Sequence, residues 1–133
     1  MKKRLCAMVL LLVSCLVICA NASGIVPYWD NIQRIYTSLT VDGTTAYCDL
    51  VVTGQAGTSR IEADIVLQMQ NSRGSYVNKH AWPTQVEYDT LLTFSDTVSN
   101  LTSDGTYRLK VTVTVYNANG VGETETVYSN TAP

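Results

Sequence analysis

The chain has one histidine, His80, and one cysteine outside its first 19 residues, Cys48, so a Cys–His nucleophilic pair would have to be built from these two. A cysteine nucleophile needs a stabilised thiolate and a base within reach. Cys48 instead shares the phase of Ala46, Leu50 and Val52 in an alternating run, where a thiol behaves as a small buried hydrophobe. Core packing is therefore its expected role. A lone histidine also leaves no cluster with metal-ligand spacing. Carboxylates recur at i, i+2 in Glu62/Asp64, Glu87/Asp89 and Glu123/Glu125. On a strand that spacing puts both groups on one face, an arrangement suited to acid–base work or to Ca²⁺. Solvation is the simpler expectation. Glu62/Asp64 falls on the outward phase of a strand, and Glu123/Glu125 falls on the last strand, where charge discourages edge-to-edge pairing. No catalytic residue, metal or cofactor is expected, and the chain does not read as an enzyme.

Aromatic side chains offer a different chemistry. Tyr28, Trp29, Tyr76, Trp82 and Tyr88 lie in the less regular parts of the chain, and the loops of a rigid scaffold often carry recognition. An indole or phenol joins a flat apolar face to a polar edge, which suits a sugar ring or a protein surface. Tyr28, Trp29 and Trp82 are the candidate ligand contacts. The competing role for the two tryptophans is to cap the two ends of the hydrophobic core.

The elements that would position these groups are strands. Tyr107, Leu109, Val111, Val113 and Val115 alternate with Arg108, Lys110, Thr112 and Thr114, the pattern of a half-buried antiparallel strand. Tyr116, Asn117, Ala118, Asn119, Gly120 then bring a turn signal, since Asn-Gly tolerates a positive φ, and a partner strand is expected from about Gly122 to Tyr128. Ile35, Leu39 and Val41 mark an opening strand before a turn at Asp42-Gly43, and Ala46 to Val52 alternates after it. The period returns over Ile61 to Met69, weakly over Tyr76 to Trp82, and again over Thr90 to Val98 with Leu92, Phe94 and Val98 inward. About seven strands with no helical stripe predict an antiparallel two-sheet, immunoglobulin-like sandwich, with a closed barrel as the alternative. Asp104, Gly105, Thr106, Tyr107 resembles the tyrosine corner of such domains, and Cys48 and Leu109 then occupy the places of their usual disulfide. Tyr107 and Cys48 are accordingly expected to be structural.

The N-terminus sets the compartment. Lys2, Lys3 and Arg4 precede an apolar run of about 14 residues, Leu5 to Ile18, and Ala20, Asn21, Ala22 form a small-x-small cleavage site. The run is shorter than the roughly 20 residues that span a bilayer. Residues 1–22 therefore read as a signal peptide and 23–133 as one sandwich domain that is secreted. The alternative is a lipid anchor at Cys15, because Leu12, Val13, Ser14, Cys15 fits a lipobox. The remaining 111 residues carry six Lys plus Arg against eleven Asp plus Glu, a net charge near −5. That balance argues against nucleic acid or an anionic membrane as partner, and no membrane span is expected in the mature chain. With Cys48 as its one cysteine, the mature domain must rely on its core rather than on disulfides.

Pro27-Tyr28-Trp29-Asp30-Asn31, Gly43-Thr44-Thr45 to Cys48, Gly54 to Ile61, Leu67-Gln68, Trp82 and Gly105 to Val111 together resemble a family of small exported proteins of uncharacterised function from Gram-positive Firmicutes. The resemblance implies a secreted β-sandwich and carries over no catalytic residue, cofactor or ligand. The expected function is a non-enzymatic module that binds an extracellular glycan or protein at the cell periphery. Two alternatives remain: an assembly protein acting through strand edges or a Cys-linked dimer, and a secreted, bacteriocin-like effector.

Overall fold

A computed structural model of the chain describes residues 29–133; the signal segment, Cys15, the cleavage site and Tyr28 lie outside the described residues. Eight strands follow in order: β1 (Ile32–Asp42), β2 (Thr45–Gly54), β3 (Arg60–Gln70), β4 (Tyr76–Ala81), β5 (Gln85–Glu87), β6 (Leu91–Val98), β7 (Tyr107–Tyr116) and β8 (Gly122–Tyr128). They form two antiparallel sheets, one ordered β1-β2-β6 and the other β4-β3-β7-β8, with β5 also paired to β3. The arrangement is an all-β sandwich. The count exceeds the expected seven because β5, three residues just past Pro83, is too short to show alternation in the sequence.

The core lies where the alternating phases of the two sheets meet. Ala46, Cys48, Leu50 and Val52 of β2 face Ile61, Ala63, Ile65 and Leu67 of β3 and Tyr107, Leu109, Val111, Val113 and Val115 of β7, all buried. A one-residue slip in any of these strands would turn its whole apolar set to solvent. The long β3–β7 register, Arg60↔Tyr116 through Met69↔Tyr107, is therefore firmly specified.

Two hairpin loops, at opposite ends of the β3–β7 pair, share one design. In Asn71–Ser75 and in Asn117–Val121 the asparagine Oδ1 accepts from the backbone N–H groups two and four residues on, each at 3.0 Å. The glycine at the fourth place takes a positive φ, 83° at Gly74 and 76° at Gly120, a conformation that other residues adopt at a cost. The second loop, five residues long, falls on the turn signal read there, and β8 begins at the expected Gly122.

Side chains stitch the two sheets together along both flanks. On the β1–β8 flank the Glu123 carboxylate accepts from three successive backbone N–H groups, Asp30 at 2.7 Å, Asn31 at 3.0 Å and Ile32 at 2.9 Å. The Asn31 amide in turn donates to the carbonyls of Val115 and Val121. At the far end of β8, Asn130 pairs with Leu39 like a strand residue, accepting from its N–H and donating to its carbonyl. On the β4–β6 flank, Trp82 Nε1 donates to Asp96 at 2.7 Å, and its ring meets Phe94 edge-on at 5.3 Å. Glu123 is therefore a clamp on the start of β1, not a solvated edge charge as its position on the last strand suggested.

Candidate functional site

The inward residues expected to be structural occupy closed surroundings. Tyr107 is fully buried, and its hydroxyl donates to the Thr102 carbonyl at 3.2 Å and accepts from the Thr102 N–H at 3.0 Å. The ring folds over Gly105 so closely that a β-carbon there would lie 2.7 Å from the ring and the hydroxyl. Cys48 is buried and, among the described residues, a free cysteine. Burial, reinforced by the nearby Asp49 and Asp96 carboxylates, pushes its thiol up to about 12. A thiol so protonated is no nucleophile. His80 is an exposed residue of β4, its ring against that of Trp82 at 4.6 Å.

Trp29 is half-buried and packs on the core at the end of the sandwich where β1 begins. Trp82 also packs on the core, but along the β4–β6 flank rather than at an end, with its indole N–H already taken by Asp96. That hydrogen bond, a second from the Thr97 N–H and the nearby His80 hold the Asp96 carboxyl below its ordinary value against the opposing effect of desolvation.

The carboxylate pairs separate into single roles. Glu62 ion-pairs with Arg60 Nε at 3.1 Å and accepts from the Tyr116 hydroxyl at 3.3 Å. Asp64 accepts from Thr84, Asp89 accepts from the Thr90 N–H, and Glu87 is exposed. Glu125 shares the inward phase of Glu123 at the open margin of β8. Among the described residues no three His, Cys, Asp or Glu side chains converge as a metal site, and no helix is long and apolar enough to cross a membrane.

The outward face of the larger sheet carries a pattern that sequence reading missed. Arg108 is sandwiched between two phenol rings, 3.8 Å from the Tyr76 centroid and 4.2 Å from that of Tyr128, while its Nε donates to Gln68 Oε1 at 2.9 Å. Threonine pairs Thr112–Thr126 and Thr114–Thr124 fill the middle of the face through hydroxyl contacts of 3.2 and 2.8 Å. At the other end Arg60 lies 4.1 Å over the Tyr116 ring. A hollow of about 210 Å³ opens there, lined by Ser59, Arg60, Tyr88, Tyr116 and Gly120.

The local structure accounts for this hollow. Register puts Arg60 directly opposite Tyr116, so the last outward residue of β7 and the first of β3 stack. Ser59 Oγ donates to the Asn117 carbonyl at 2.8 Å, tying the β2–β3 connection to the β7–β8 loop. Tyr88, just past β5, is 78% exposed. A phenol presented to water beside a stacked guanidinium offers an apolar face, polar edges and a positive charge together. The signal available in the sequence was the break in β7's outward Thr112, Thr114 run at Tyr116; its partner Arg60 became visible only through the register.

No family model matches the chain, and no curated protein matches it. Among solved structures it is similar to the crystal structure of Spo0M, a sporulation control protein from Bacillus subtilis. The match has 12% sequence identity and a TM-score of 0.38, and covers 77% of this chain and 50% of that one. The chain spans about half the length of that protein, and a likeness so distant assigns it no function.

Proposed function

We propose that this chain is an exported, non-enzymatic, immunoglobulin-like module that binds a glycan at the cell periphery. The observation that carries the reading is the hollow at Arg60, Tyr88 and Tyr116, an open aromatic surface with polar groups around it. Export is supported by the Lys2–Arg4 n-region, the apolar run and the Ala20-Asn21-Ala22 site, and by the resemblance to small exported Firmicutes proteins. The immunoglobulin-like assignment is supported by the β1-β2-β6 and β4-β3-β7-β8 strand orders and by the Tyr107 hydroxyl reaching back five residues. Tyr88 is the ligand contact of first choice, because Trp29 and Trp82 have their rings against the core.

The test is binding of the secreted protein to a glycan array beside its Tyr88→Ala variant. Retention of a defined set of glycans, lost in the variant while the melting temperature holds, is the expected result. Uniform background on every glycan would overturn the reading. A second reading, assembly by strand addition, is favoured by β6, which pairs on one edge only, with β2. It predicts concentration-dependent oligomers in light scattering.

A further inference from the structure

We infer that the ligand of the hollow is an acidic saccharide, a sugar bearing a carboxylate, held by charge pairing to Arg60 and ring contact to Tyr88. The inference rests on the glycan reading above and deepens it. Among the five residues that line the hollow, Arg60 alone is charged. A guanidinium has five N–H donors in a planar fork, and the ion pair of Arg60 with Glu62 runs through Nε. That Nε is buried and lacks a properly directed hydrogen bond even so. The 3.1 Å contact with Glu62 is made by Nε and not by the two terminal amino groups of Arg60. Those two groups form the edge that engages a carboxylate through two parallel hydrogen bonds.

The remaining lining fits a sugar ring. Tyr116 lies under the guanidinium at 4.1 Å, which holds the cation in place before any ligand arrives. Ser59 Oγ donates its proton to backbone carbonyls, leaving its lone pairs to accept from ligand hydroxyls. Gly120 adds no side chain to the rim, and a β-carbon there would meet nothing within 4 Å. The volume of about 210 Å³ is below the roughly 300–1,000 Å³ of sites that enclose drug-sized ligands. It therefore seats one ring, with any further sugars of a chain running out into solvent.

The experiment is calorimetric titration of the secreted protein with tri-galacturonate, with the matching neutral tri-galactoside, and with a short poly-glutamate of similar charge. We expect the acidic trisaccharide to bind at least about tenfold more tightly than the neutral one, since charge-assisted hydrogen bonds are roughly twice as strong as neutral ones. That preference should shrink as salt rises. Arg60→Gln should abolish it, Arg60→Lys should retain part of it, and Tyr88→Ala should weaken both sugars alike. Equal affinity for the two sugars, unchanged in Arg60→Lys, would overturn the acidic assignment and leave the glycan reading standing. Poly-glutamate binding as tightly as tri-galacturonate would overturn it in favour of a bare anion site. Failure of both sugars to bind would remove the glycan reading itself. The wild-type selectivity and its salt dependence decide the matter even if Arg60→Gln does not fold.

Discussion

Tyr107→Phe removes one oxygen and with it two hydrogen bonds, the donation to the Thr102 carbonyl and the acceptance from the Thr102 N–H. A neutral hydrogen bond contributes about 0.5–1.5 kcal/mol net, so the pair is worth about 1–3 kcal/mol. Thr102 itself is exposed, and water can reclaim its backbone groups, which places the expected loss in the lower half of that range. Tyr107→Ala also empties a fully buried site at the end of β7, and truncations of that kind cost about 3–5 kcal/mol. Gly105 supplies an internal check. A β-carbon at Gly105 would meet the Tyr107 ring and hydroxyl as its three nearest neighbours, all within 2.8 Å, so Gly105→Ala should cost about 1–3 kcal/mol by overpacking. In a Tyr107→Ala background the obstacle is gone and Gly105→Ala should cost much less, a coupling that a double-mutant cycle reads directly. Equilibrium urea denaturation of the wild type, the three single variants and the double variant, with m-values compared, is the assay. Additive losses at the two positions, or a Tyr107→Phe variant with the wild-type midpoint, would refute the closed turn deduced here.

Desolvation raises the Glu123 carboxyl, but the three backbone N–H bonds from Asp30, Ile32 and Asn31 outweigh it and hold the group below the ordinary glutamate value. The clamp therefore stabilises the fold at pH above the unfolded value, about 4.3, and its contribution fades as pH falls through the lower folded value. Glu123→Gln should flatten that acid limb of the stability–pH curve, and an unchanged limb would show that the clamp contributes nothing. Cys48 has the opposite slope: its thiol is raised, so its contribution is complete below the unfolded value near 8.5 and declines as pH climbs from there towards about 12. The native protein should resist thiol reagents at neutral pH, and labelling as fast as in denaturant would contradict the burial. Trp82→Ala should lower stability by less than the 3–5 kcal/mol or so of a fully buried aromatic and leave ligand binding intact, because Trp82 holds β6 through Asp96 and Phe94. Binding lost with unchanged stability would move the ligand site to Trp82.

What could be read in the sequence was what depends on local alternation. The five inward residues of β7 are all buried, Cys48 is buried with Ala46, Leu50 and Val52, and β8 spans Gly122–Tyr128. In β2 and β7 the inward face is apolar, so the period alone determines which side meets the core, whereas β8, whose inward phase carries Glu123 and Glu125, was legible from the turn that precedes it. Features that join distant segments left no such trace. Glu123 reads as an edge charge because the N–H groups it holds lie 91 to 93 residues away. Arg60 and Tyr116 stand at the ends of two strands far apart in the chain, and they become a stacked pair only when β3 and β7 adopt one particular register.

That register dependence bears on how the hollow works. A side chain on a loop must surrender freedom when it binds, at about 0.5–1.5 kcal/mol for each one immobilised. Arg60 and Tyr116 stand on paired positions of the two central strands of the larger sheet, whose inward neighbours Ile61 and Val115 are fully buried. Their stack is therefore held by the core of the sandwich before a ligand arrives. Tyr88 differs, since it stands on the connection beyond the three-residue β5 and is 78% exposed. The hollow thus joins a rigid floor to one adjustable wall: the floor supplies charge at a defined place, and the wall can close on a ring. The same partition explains why the flank stitches at Glu123, Asn130 and Trp82 matter to a site they do not line. By holding the two sheets together they preserve the packing behind β3 and β7, and that packing keeps the Arg60 fork aimed.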